Sequence, residues 1–121
     1  MTEIELIMVN PQLSEEKLKN QPFKDLVFIE VLPHSHELIN DVFGNYVVQK
    51  LIEFGSIQQK TTIVDQILGH MLKLTKSKYG CRVIQKAFQF AEIDQRNLLV
   101  SELKNCNVID LIKDQNANHV I

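Results

Sequence analysis

The sequence predicts an all-α solenoid, a fold in which short helices stack in repeated units. Three observations lead to this prediction. Two segments align without a gap at an offset of 36 residues, and a third copy begins 37 residues after the second. Apolar residues within each copy recur at helical spacing, and no alternating strand pattern follows residue 30. Units of about 36 residues cannot bury their own apolar faces, so they must stack on one another.

The repeat is visible in three strings of the sequence. The first copy, from Val42, reads VFGNYVVQKLIEFGSIQQKTTIVDQIL, and the second reads SKYGCRVIQKAFQFAEIDQRNLLVSEL. Gly44 thereby matches Gly80. The third copy is QNANHVI at residues 115–121, which aligns with residues 78–84. The additional residue that lengthens this second offset is placed near residues 105–107. A match at two nearly equal offsets indicates a true repeat.

Each copy predicts two helices and a shorter helical turn. The long helix runs from the first glycine to the Gly55 or Ala91 position, and the short turns are predicted at residues 71–75 and 108–112. The apolar stripe of the second helix is predicted to consist of Ile57, Ile63, Val64, Ile67 and Leu68 in the first copy. In the second copy it is predicted to consist of Ile93, Leu98, Leu99, Val100 and Leu103. An earlier packed helix, ended by Pro33, is predicted from Leu26, Val27, Phe28, Ile29, Val31 and Leu32.

These elements divide the chain into five parts. Residues 1–21 match no repeat and form an atypical N-terminal segment. The remainder is predicted to be a partial array: a partial repeat at 22–33, repeats at 34–69 and 70–106, and a truncated repeat at 107–121.

Composition restricts the class of protein. The chain is 45% apolar and 23% charged, as in a soluble packed protein. Its longest apolar runs are four residues, far short of the roughly 20 that span a bilayer. Glu3 and Glu5 stand where a secretory signal would be basic, and two cysteines form no disulfide framework. We therefore expect a cytoplasmic protein with no membrane partner.

One set of positions varies while its surroundings stay constant. Asn45, Tyr46 and Gln49 occupy these positions in the first copy; Cys81, Arg82 and Gln85 in the second; and Asn118 and His119 in the third. Residues i and i+4 lie on one helix face and i+1 lies beside them, so stacked repeats would present a regular ladder. Planar groups can stack on exposed bases, and amides can read base edges. Residues 42–104 also carry nine basic and five acidic side chains, which is compatible with a phosphate backbone.

The strings GNYVVQK, GCRVIQK and NANHVI resemble the repeats of the Pumilio (PUF) family of RNA-binding proteins. The resemblance covers about residues 22–121. It implies a right-handed superhelical solenoid of three-helix repeats, in which each repeat reads one base of single-stranded RNA with two or three side chains. It also implies an mRNA partner bound in a 3′ untranslated region, with translational repressors or a deadenylase complex recruited to it. No cofactor, metal, small-molecule substrate or enzymatic reaction is expected.

The resemblance assigns a role to each position of the ladder. Asn45 and Gln49 would hydrogen-bond a uracil edge while Tyr46 stacks. Cys81 and Gln85 would accept an adenine while Arg82 stacks. Asn118 would favour uracil with His119 stacking, although the position that should hold its glutamine lies beyond Ile121. Because family members bind RNA antiparallel to the chain, the implied element is 5′-U-A-U-3′.

Several positions have a plainer interpretation. Asn45 and Asn118 follow small residues at helix starts, where they would act as N-caps. Lys50 and Lys86 would contact phosphates or only be solvated. For the whole chain, the alternative is a protein–protein scaffold of the HEAT or armadillo kind, or a repeat remnant that has lost RNA binding. A scaffold gives no reason for the ladder to stay in register.

Overall fold

The computed structural model of the chain describes residue 16 and residues 19–120, and this part is helical with no strand. The predicted all-α fold is therefore confirmed. Residues 1–15, and with them most of the atypical N-terminal segment, lie outside the described residues. No helix of the described part has both the length and the apolar character that crossing a bilayer requires.

The elements follow the predicted order. The α-helices are α1 (Gln21–Val31), α2 (Ser35–Ile39), α3 (Gly44–Phe54), α4 (Ile57–Ile67), α5 (Met71–Lys76), α6 (Gly80–Phe90), α7 (Ile93–Lys104) and α8 (Val108–Lys113). Two 3₁₀ turns, Leu32–His34 and Ala117–His119, complete the described part. The long helices α3 and α6 pack side by side, and α4 and α7 contact each other beside them.

The same polar turn precedes each copy of the long helix. Asp41 Oδ2 accepts hydrogen bonds from the backbone N–H of Phe43 (2.9 Å) and Gly44 (2.7 Å). In the second copy, Ser77 Oγ accepts a hydrogen bond of 3.1 Å from the N–H of Gly80. In the third copy, Asp114 Oδ2 accepts hydrogen bonds from the N–H groups of Asn116 and Ala117. Short polar side chains cap such turns because they satisfy N–H groups that have no partner inside the helix.

Gly44 and Gly80 lie at a close approach between helices. A Cβ atom at Gly44 would be 2.8 Å from the carbonyl oxygen of Leu38, and one at Gly80 would be 2.8 Å from that of Leu74. Contacts with backbone this short do not occur for real Cβ atoms. The repeated glycine therefore lets α2 and α5 pack directly on the start of the long helix that follows.

The buried apolar residues from α1 to α7 form one continuous cluster. The largest fully buried side chains of the described part come from all eight α-helices. They include Ile39, Leu51, Ile52, Ile63, Ile67, Met71, Leu74, Ile84, Leu99 and Leu111. Each repeat thus buries its apolar faces against its neighbours, as the period predicts.

A lysine of each second helix, in α1 and in α4, binds the end of the long helix that follows, α3 or α6. Lys24 Nζ donates to the carbonyl oxygen of Phe54 at 2.7 Å, and Lys60 Nζ donates to that of Phe90 at 3.5 Å. The two pairs are separated by one repeat. A cation at a helix C-terminus satisfies a free carbonyl and complements the helix dipole.

A second polar contact also recurs from one repeat to the next. Gln59 Nε2 donates to Asp25 Oδ1 at 2.7 Å, and Gln95 Nε2 donates to the carbonyl oxygen of Thr61 at 2.9 Å. Gln95 corresponds to Gln59, and Thr61 to Asp25. These contacts hold successive second helices in one register.

The apolar stripes were predicted too broadly. Residues 22–33 do lie in a helix and a turn, but Leu26 and Ile29 are exposed. Ile57, Ile93, Leu98 and Val100 are exposed as well, while Val64 and Leu99 are fully buried. Ile57 and Ile93 are the first residues of α4 and α7, and both side chains are exposed at these helix N-termini.

Candidate nucleic-acid interface

A groove of about 530 Å³ crosses α3, α6 and the turn at Ala117–His119. It is lined by Gln49, Lys78, Cys81, Arg82, Gln85, Lys86, Gln89, Asn116 and His119. Five of the eight predicted site residues therefore meet in one place. The lining combines amides with three cationic side chains and one imidazole.

Asn45 lies beneath this surface. It is only 1% exposed, and its Nδ2 donates to the carbonyl oxygens of Asp41 (2.8 Å) and Val42 (3.0 Å). Its Oδ1 accepts a hydrogen bond of 2.8 Å from Gln49 Nε2. Asn45 therefore holds the Gln49 amide in place. It does not cap the helix either, because Asp41 has that role.

The residues predicted to stack lie at the surface. Tyr46 is 43% exposed, and Arg82 and His119 are exposed at the corresponding positions of the next two copies. Tyr46 belongs to the first copy of the repeat, Arg82 to the second and His119 to the third. Exposed planar groups, one from each repeat, are what stacking on successive bases requires.

Cys81 is buried, and its Sγ donates to the carbonyl oxygen of Lys78 at 3.4 Å. Burial raises the pKa of the Cys81 thiol, which keeps the sulfur protonated and unreactive at neutral pH. At this position the second repeat offers the groove a small group with little hydrogen-bonding capacity.

Gln85 already has an acceptor within the protein. Its Nε2 donates to the carbonyl oxygen of His119 at 2.6 Å. His119 is the last residue of a 3₁₀ turn, and among the described residues no backbone N–H donates to its carbonyl oxygen. Gln49, at the corresponding position one repeat earlier, instead binds Asn45.

Lys50 and Lys86 both approach one carboxylate. Their Nζ atoms lie 3.7 Å and 3.3 Å from Glu53 Oε2, so Glu53 joins α3 to α6. Each ammonium also lies over a ring of its own helix, 5.6 Å from Phe54 and 5.4 Å from Phe90. The two lysines thus have a structural role that neither sequence-based interpretation included.

The third copy is less regular than the first two. Asn118 is exposed, and the residues around it form a 3₁₀ turn in place of the predicted α-helix start. The turn is anchored by Asp114, whose pKa is held below its ordinary value of 3.8 by the N–H groups of Ala117 and Asn116. A lowered pKa means that the ionised carboxylate stabilises the folded turn.

We expect Asp114→Ala to release this turn. The amide protons of Asn116 and Ala117 lose their acceptor and should exchange with solvent faster, as measured by NMR. In the wild-type chain this stabilisation is complete above the unfolded carboxyl's pKa of about 3.8 and is lost as the pH falls through the lower folded value. Asp94→Ala removes an exposed carboxylate from α7 and serves as the control. Unchanged exchange in Asp114→Ala would contradict the assignment.

Three residues of the groove were missed by the sequence analysis. Gln89 lies one helical turn after Gln85, and this i+4 spacing was a usable signal. Lys78 and Asn116 precede the helix starts, in segments where the helical pattern does not apply.

Comparison with known proteins relates this geometry to one family. A family model described as the Pumilio-family RNA binding repeat matches residues 34–68, 70–104 and 107–121. A Pumilio domain-containing protein of Schizosaccharomyces pombe is 38% identical over 103 residues, which cover 85% of this chain and 15% of that protein. Pumilio homolog 1 of Xenopus laevis is 50% identical over 43 residues, or 36% of this chain and 4% of the homolog. The chain therefore spans a small part of these relatives.

Solved structures show the same fold. The Puf3 RNA binding domain bound to a Cox17 RNA 3′ UTR recognition sequence is 42% identical, with a TM-score of 0.79 over 98% of this chain and 38% of that one. PUF-8 in complex with PBE-RNA is 34% identical, with a TM-score of 0.80 over 90% of this chain and 32% of that one.

Proposed function

This chain belongs to the Pumilio family of RNA-binding repeat proteins, and on that premise we propose that it binds single-stranded RNA in a sequence-specific way. The groove across α3, α6 and the turn at 117–119 is the proposed binding surface. The proposed target is a U-A-U element in the 3′ untranslated region of an mRNA.

The observation that carries the proposal is the convergence of the ladder in this groove. Gln49, Arg82, Gln85 and His119 come from three successive copies and line one surface. Amides supply both donors and acceptors for base edges, and guanidinium and imidazole planes supply stacking surfaces. Lys78 and Arg82 add positive charge beside the path that a phosphate backbone would take.

The roles proposed for single residues follow from their surroundings. Gln49, oriented by Asn45, would read the uracil edge beside Tyr46. Cys81 and Gln85 would read adenine, since a small thiol leaves room for the larger purine. Asn118 and His119 would contact the remaining uracil. The role of Asn45 is thereby changed from direct contact to positioning of Gln49.

Regulation is part of the same proposal. RNA binding would place the chain on a transcript in the cytoplasm, where translational repressors or a deadenylase complex act on it. The proposal assigns no reaction to the chain itself, because recognition alone explains the groove.

The proposed affinity is weak. Stacking contributes roughly 1–3 kcal/mol per base, and two to three bases must also offset the cost of association. We expect a binding free energy on the order of −5 kcal/mol, which corresponds to a dissociation constant in the high-micromolar range or weaker. Submicromolar specific binding by the monomer would refute this value.

We expect the Gln49→Ala, Gln85→Ala double variant to lose base preference. Fluorescence anisotropy at fixed salt would compare a short RNA containing UAU with one containing CCC. The wild-type chain should prefer UAU, whereas the double variant should bind both RNAs equally because both edge-reading amides are gone. Gln58→Ala removes an exposed amide from α4, outside the groove, and should keep the preference. Equal binding of both RNAs by the folded wild-type chain would favour a repeat remnant or scaffold.

A further inference from the structure

Glu53 binds a lysine that lines the groove. Its Oε2 lies 3.3 Å from Nζ of Lys86, a lining residue, and 3.7 Å from Nζ of Lys50. The lining itself contributes Lys78, Arg82 and Lys86 and, within the described part of the chain, no carboxylate. Glu53 is therefore placed to set how much positive charge the groove offers to a polyanion.

The ion pair between Glu53 and Lys86 is partly shielded from solvent. The two side chains are 22% and 28% exposed, and partly buried charges are screened by salt less than exposed ones. The Lys86 ammonium also lies 5.4 Å from the centre of the Phe90 ring. Carboxylate and ring both attract the ammonium, and both would oppose its movement towards a phosphate group.

The second copy of the repeat carries an amide in place of this carboxylate. Gln89 corresponds to Glu53, and it is exposed and lines the groove. It follows Lys86 by three residues, as Glu53 follows Lys50, so the two pairs have the same spacing on their helices. The chain thus provides a charged and a neutral side chain of nearly equal shape at equivalent positions.

We infer that Glu53 limits the sequence-independent part of RNA binding, because it withholds the Lys86 ammonium from the phosphate backbone. The inference rests on the proposed function of the groove and adds a residue that contacts no base. A lysine that reaches a phosphate strengthens the binding of every RNA, whatever its bases, since it releases counterions. With Lys86 held by Glu53, a larger share of the affinity comes from contacts that distinguish one base from another.

The test is Glu53→Gln, which keeps the shape of the side chain and removes its charge. NMR titrations would use the UAU and CCC RNAs at about 50 mM and about 200 mM salt. The variant should bind both RNAs more tightly, and by the same factor. For single strands the salt dependence of log K steepens by roughly 0.7 for each additional phosphate contact, so the gain should be roughly 2.6-fold larger at the lower salt.

Two further variants separate charge from structure. Lys86→Gln breaks the same ion pair between α3 and α6 but removes a cation, so it should not strengthen binding, and combined with Glu53→Gln it should cancel the gain. Gln89→Glu gives the second copy the carboxylate of the first and should weaken binding of both RNAs. Glu30→Gln removes an exposed carboxylate of α1, outside the groove, and should leave affinity and salt dependence nearly unchanged.

The outcomes distinguish this inference from the proposed function. A wild-type chain without preference for UAU would contradict sequence-specific recognition, while a salt-dependent gain of Glu53→Gln on the CCC RNA would still support the inference. Unchanged or weaker binding by Glu53→Gln, or no binding of either RNA by any folded variant, would overturn it. It would also be overturned if Lys86→Gln strengthened binding as Glu53→Gln does, because loss of the bridge between the helices would then be the cause.

Discussion

Leu51→Ala is expected to lower the free energy of unfolding by about 2–5 kcal/mol, because it removes a buried side chain from the centre of α3. Leu51 is fully buried in the continuous core. The second repeat carries Ala87 at the corresponding position, also fully buried, so its neighbours are arranged around a small side chain. The neighbours of Leu51 are arranged around a large one, and truncation leaves a cavity that the packed helices can only partly close.

Urea unfolding followed by circular dichroism measures this loss. Leu72→Ala makes the same substitution at a side chain of α5 that is 47% exposed, and its effect should stay near 0.5 kcal/mol or below. If the two variants lost equal stability, the continuous core would not be what holds the repeats together.

Arg82→Ala is expected to weaken binding of UAU RNA by roughly 5- to 150-fold, the equivalent of about 1–3 kcal/mol for one stacked base. Arg82 is the exposed planar group of the second repeat, and its side chain lines the groove. Its loss removes a stacking surface together with a charge. Arg82→Lys separates the two effects, since lysine keeps the charge but has no planar group.

NMR titration with UAU RNA, at fixed low salt, can follow these weak affinities. Lys73→Ala removes an exposed charge outside the groove and should reduce binding only slightly. Arg82→Lys should recover only a minor part of the affinity lost in Arg82→Ala. Full recovery in Arg82→Lys would show that charge, and not stacking, is the contribution of this residue.

The repeat architecture could be predicted because one period determines many positions together. Gly44 and Gly80, the helices that follow them and the exposed planar side chains all lie where the offsets of 36 and 37 residues place them. Stacking is a necessity for units too small to bury their own apolar faces. The correct prediction therefore depended on the spacing of residues and very little on their individual propensities.

The burial of each side chain could not be predicted from the same period. The i and i+4 spacing of Asn45 and Gln49 shows that they share a helix face, but burial depends on how closely the preceding helix approaches at Gly44. The pairing of Lys50 and Lys86 with Glu53 likewise depends on the distance between α3 and α6. Such distances are set by tertiary packing.

The hydrogen bond from Gln85 to the His119 carbonyl would compete with the adenine recognition that we propose for this residue. This bond engages one of the two N–H donors of the Gln85 amide, so an adenine could use that donor only in molecules that have broken the bond, which lowers the apparent affinity. One repeat earlier, the corresponding carbonyl belongs to Arg82 inside α6, where helical geometry pairs it with an N–H four residues later. A long helix continuing from His119 would pair its carbonyl in the same way and leave Gln85 free. Extension of the array would then increase affinity at a base that the added residues never touch, which is positive cooperativity between neighbouring repeats.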